Sequence, residues 1–84
     1  MITCIVTSLG KGSLMASPMD QVDLPSLVGR VARYLDKNGK VWPAKVEGME
    51  DPFLIIRFTG DFPTGIGQGQ MVDVIEDGDD INSA

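Results

Sequence analysis

The chain has 84 residues, 43% of them hydrophobic, with one cysteine, no histidine and a net charge of −5 from 12 acids and 7 bases. That is the length of one domain, with the apolar fraction of a folded chain. It excludes an internal disulfide and histidine-based catalysis, and no apolar run approaches the ~20 residues that cross a bilayer.

Ile2 to Leu9 alternates apolar and hydroxyl-bearing residues and predicts a short strand, with Thr3, Ile5, Thr7 and Leu9 on one side. Cys4 falls in that run and is expected as a small buried hydrophobe. The N-terminus has no basic region ahead of its apolar run, so a signal peptide is not expected and a cytoplasmic location is. Residues 10–27 are expected to form a long loop. Within it Ser17-Pro18-Met19-Asp20 has the pattern of one helical turn: a capping Ser, Pro at the first position and an acid at the third. Pro25 is expected to stop that turn. Met15 is an alternative start, which would make residues 1–14 dispensable.

Val28 to Phe58 predicts three strands folded back and forth. Asn38-Gly39 fits a two-residue type I′ turn, in which both residues take positive φ. That loop places Leu35 opposite Trp42, Arg33 opposite Ala44 and Val31 opposite Val46. One face then carries Val31, Leu35, Trp42, Ala44 and Val46 as core, and the other carries Arg30, Tyr34, Pro43 and Lys45 toward water. Residues 47–52 are polar, end in Pro, and are expected to be a loop. In Phe53–Phe58 the residues Leu54, Ile56 and Phe58 share an inward face. Residues 59–70, with four glycines and a proline, predict an irregular connection, and residues 71–76 a last strand. The core barrel is thus expected over about 27–76, with 77–84 an acidic tail that frays.

Charge is unevenly spread: residues 27–58 hold six bases and four acids, and residues 59–84 hold six acids and no base. An acidic whole disfavours bare nucleic acid as a partner.

Five short strands around a tight turn predict an all-β fold, a single small five-stranded barrel. A long first loop, a three-strand meander and a short excursion to the last strand match the Src-homology-like barrel. The OB-fold is the alternative, but it needs a helix where only residues 47–52 are present. Val41-Trp42-Pro43-Ala44-Lys45-Val46 and Ile55 through Asp61 resemble the Tudor and PWWP branch of these barrels, over about residues 28–62. The Pro-Trp-Trp-Pro run of that branch is Lys40-Val41-Trp42-Pro43 here, half of the motif. The resemblance implies an aromatic cage for a methylated lysine, with Trp42 and Phe58 as walls. Val28-Gly29-Arg30-Val31 and Pro52 through Phe58 also resemble the barrel-shaped accessory subunits of photosynthetic electron transfer, which carry no cofactor and act by docking.

Without histidine, and with a single cysteine, neither a nucleophile–base pair nor a thiolate zinc site can be built. Gly65-Ile66-Gly67-Gln68-Gly69 lacks the Lys-Ser/Thr of a phosphate loop, and Glu76 to Asp80 lacks calcium-loop spacing. No cofactor and no metal are expected. The functional expectation is a non-catalytic module that binds a protein or peptide through Tyr34, Pro43, Arg30, Lys45 and Phe62. Two alternatives stand beside it. One is a nucleic-acid-binding barrel using Arg30, Arg33, Lys45, Arg57 and the aromatics; the other is an accessory or regulatory subunit of an enzyme complex.

Overall fold

The structure, a computed structural model, describes residues 1–75. Six strands, β1 (Ile2–Leu9), β2 (Ser13–Pro18), β3 (Val31–Leu35), β4 (Val41–Glu50), β5 (Phe53–Phe58) and β6 (Met71–Val74), close into a barrel in the order β1-β2-β5-β4-β3-β6. Every neighbouring pair is antiparallel. The fold is therefore an all-β small closed barrel, with six strands where five were expected. The meander β3-β4-β5, the irregular connection and the closing strand are present as anticipated. The expected acidic tail at 77–84 lies outside the described residues.

The additional strand is β2. Gly10-Lys11-Gly12 turns the chain back on itself, with Gly12 at φ +75° and the Gly10 amide bonded to the Ser13 carbonyl at 2.9 Å. Leu14 and Ala16 then point inward, as Ile2, Cys4 and Val6 do from β1. Ser17-Pro18 belongs to this strand, not to a helical turn. The one helical turn among the described residues, α1, is Leu24–Leu27, and Pro25 opens it instead of ending it. Proline suits the first turn because the amide it lacks has no intrahelical partner there. Leu24 and Leu27 close one end of the barrel, at 9% and 3% exposure. The barrel thus begins at Ile2, well before residue 27.

The hairpin β3-β4 differs from the expected one by a single residue. Tyr34 pairs with Trp42, Ala32 with Ala44 and Leu35 with Val41. Only Gly39 takes a positive φ, +85°, and Gly39 donates to the Asp36 carbonyl at 3.0 Å. This is a three-residue loop, Lys37-Asn38-Gly39, in which a tight turn is followed by one left-handed glycine. A slip of one residue reverses the faces of one strand relative to the other. Trp42, Ala44 and Val46 do face inward, but from β3 their companions are Ala32 and Tyr34. Val31 and Leu35 point outward, 48% and 60% exposed.

Residues 47–50 are strand, not loop; β4 continues to Glu50, and Asp51-Pro52 alone, joined by a cis peptide bond, makes the turn to β5. The register shifts between Val46 and Gly48, so Glu47 is an inserted residue that bends β4. Leu54, Ile56 and Phe58 face inward as expected. Residues 59–70 run as a strap packed against the core: Ile66 is buried, and Phe62 meets Phe58 edge-on with ring centroids 5.3 Å apart. Among the described residues no buried side-chain nitrogen or oxygen lacks a hydrogen-bond partner.

Candidate functional site

An open groove of about 570 Å³ lies on the outside of β4 and β5. Its lining comes from three places: Val28-Gly29 at the junction of α1 and β3, Lys45 through Glu47 on β4, and Arg57 through Thr59 at the end of β5. Local sequence explains each. The Gly29 amide bonds to the Val46 carbonyl at 2.8 Å with Gly29 at φ +90°, a conformation that suits glycine. A side chain there would point into open space, so glycine leaves this wall of the groove low. The inserted Glu47 widens β4 at the same level, and Val46 and Phe58, also part of the lining, are buried with their side chains toward the core.

The groove is edged by charge. Lys45 and Arg57 are direct cross-strand partners and both are exposed. Like charges in that position repel. Glu47 offsets part of this: its carboxylate accepts from Arg57 Nε, with both side chains about half exposed. Lys45 has no ion pair among the described residues. Val28 adds an apolar edge at 41% exposure, and Val31, paired with Lys45, continues it.

The expected partner-binding residues do not share one surface. Lys45 lines the groove. Arg30 is close by in the backbone ladder, where its carbonyl accepts from the Val46 amide at 2.9 Å, and its Nε donates to the Ser26 carbonyl. Pro43 is exposed on the outer face of β4. Tyr34, expected toward water, is inside at 6% exposure; its hydroxyl donates to Gln70 Oε1 at 2.6 Å, tying β3 to the strap. Phe62 is half-buried against the core. The groove expected between the first loop and the β4–β5 turn shrinks to a depression of about 180 Å³ between residues 17–24 and Asp51-Pro52, without Tyr34 or Pro43. Val28, Gly29, Glu47 and Thr59 were not anticipated as site residues. No local pattern marks a residue that becomes exposed because its neighbours end or bulge.

The aromatic pair of the cage is arranged differently from its expected form. Phe58 is only 5% exposed and faces the interior. Trp42 lies at the barrel rim, its Nε1 donating to Asp36 Oδ2 at 2.9 Å, and Lys40 Nζ stands 4.0 Å from its ring centroid. The chain's own cation therefore occupies a face of that ring. The Asp36 carboxylate also accepts from the amides of Asn38 and Lys40. The Trp42 hydrogen bond, with those two amides, holds its carboxyl below the usual range.

Cys4 is wholly buried, and burial, with Asp73 nearby, pushes its thiol up to about 11, so it is neutral and inaccessible at pH 7. Among the described residues no three His, Cys, Asp or Glu side chains gather as a metal site, and no helix is long and apolar enough to cross a membrane. These features define a small closed β-barrel whose outer face carries a groove with an apolar edge and basic side chains. Compared with family models and with curated proteins, the chain matches none.

Proposed function

We propose that this chain is a non-catalytic binding module and that the groove over β4 and β5 receives a segment of a protein or peptide. The observation that carries this reading is the groove itself: a concavity in which the exposed apolar side chain of Val28 stands beside the charged side chains of Lys45, Glu47 and Arg57. Concave sites with that balance are the usual form of recognition pockets. Barrel closure narrows the mode of binding. Among the described residues each of the six strands has a neighbour on each side, which favours recognition through side chains over addition of a partner strand. The nucleic-acid alternative has less support, because Tyr34 and Phe58, the rings it would stack bases on, are inside the barrel.

Site-specific photo-crosslinking in a native extract tests the reading. A benzophenone side chain in place of Thr59, on the groove, should give adducts of discrete mass. The same probe in place of exposed Gln68, outside the groove, should not. Equal labelling from both positions would count against the groove as the recognition surface.

A further inference from the structure

Resting on that reading, we infer that the segment this groove accepts is acidic: an extended peptide that seats aliphatic side chains along the exposed Val28 and Val31 and sets its carboxylates against Lys45 and Arg57. The charge distribution points this way. The described residues 1–75 contain seven bases and eight acids, a net of −1. The groove has the opposite balance, with Lys45 and Arg57 against Glu47 alone. The two cations are held side by side by the β4–β5 register, where they repel each other. An incoming carboxylate between them relieves that repulsion.

The existing counter-charge is incomplete. Glu47 engages Arg57 through Nε, on one side of a guanidinium that has five N–H donors. Lys45 has no carboxylate among the described residues. A basic peptide would meet the same two cations unpaired, which disfavours it. The apolar edge at Val28 and Val31 lies next to Lys45, so the segment carries aliphatic side chains beside its acidic ones.

The test uses the full chain, amide chemical shifts and three capped hexapeptides. One has Leu-Val between two acidic pairs, one has Leu-Val between two lysine pairs, and one has Leu-Val between two serine pairs. The acidic peptide should shift the amides of Val28, Gly29, Lys45, Arg57 and Thr59. Lys45→Glu, a change at an exposed position that should leave the melting temperature in place, should weaken that binding about tenfold or more. Lys45→Gln, which removes the charge without reversing it, should fall between. If the serine or lysine peptide shifts the same amides as strongly, the charge inference is overturned while the binding-module reading stands. If no peptide moves these amides, or only amides elsewhere move, both fall. If a short oligo-dT displaces the acidic peptide with a steep loss of affinity in salt, the groove takes polyanions as a class and the peptide assignment is overturned.

Discussion

Tyr34 shows how one side chain fixes two elements. Its ring belongs to the core cluster, and its hydroxyl reaches Gln70, whose own Nε2 donates to the Gly65 carbonyl at 3.3 Å. The ring therefore packs β3 into the interior while the hydroxyl anchors the strap. Emptying the site should cost far more than losing the hydroxyl. Tyr34→Ala is expected to destabilise the chain by about 3–5 kcal/mol, the range for removing a buried large aromatic. Tyr34→Phe, which leaves Gln70 Oε1 without its donor, should cost roughly 0.5–1.5 kcal/mol. Urea unfolding of both variants decides this; a Tyr34→Ala protein as stable as the parent would place the ring at the surface. For a domain of this size, with a total stability of about 5–15 kcal/mol, the larger loss approaches the threshold of folding.

The β3–β4 turn is the element in which local chemistry and register are most tightly joined. Gly39 alone has a left-handed backbone, and nothing lies within 4 Å of where its Cβ would be. Gly39→Ala should therefore cost about 1–2 kcal/mol, all of it backbone strain. Asn38→Ala should stay within about 0.5 kcal/mol, because the Asn38 φ is not positive and its amide, not its side chain, bonds to Asp36. A two-residue type I′ turn would penalise both changes, so thermal melts of the pair separate the two geometries. Asp36 holds the loop from the other end through two amides and the Trp42 indole. Its carboxyl titrates below the ordinary carboxylate value in the folded chain. Its contribution is then present above the unfolded value of 3.8 and lost as pH falls through the lowered folded value. Asp36→Ala should lower the melting temperature at pH 7, and the difference from the parent should shrink below about pH 4.

At the scale of the whole molecule, closure of the barrel depends on β1. β1 joins β2 to β6, and its Ile2, Cys4 and Val6 are among the buried residues. Removing it would leave β2 and β6 with open edges and the core with one wall missing. A chain beginning at Met15 is therefore expected not to fold, with loss of amide dispersion and of the strand signal in circular dichroism. A cooperative melt from that shorter chain would show that residues 1–14 are dispensable after all.

Strand content was legible where apolar residues alternate with hydroxyl-bearing ones, as in Ile2–Leu9, and where a short run of apolar and β-branched residues is bounded by turn residues, as in Phe53–Phe58, because nothing distant is needed to set either pattern. The barrel class followed from the number of such runs and the turn between them. Three things were not legible. Ser13–Pro18 is a weak strand by composition, and only its place between β1 and β5 makes it one. Asn-Gly fits a two-residue loop and also a three-residue loop ending in glycine, and the choice between them reverses Tyr34 against Leu35; burial of the tyrosine, which Gln70 must be near to satisfy, decides it. The groove was out of reach for the same reason. Lys45 was visible as a base, but its opposition to Arg57 and its place on a groove come from the β4–β5 register and the bulge at Glu47, which are properties of strands already paired.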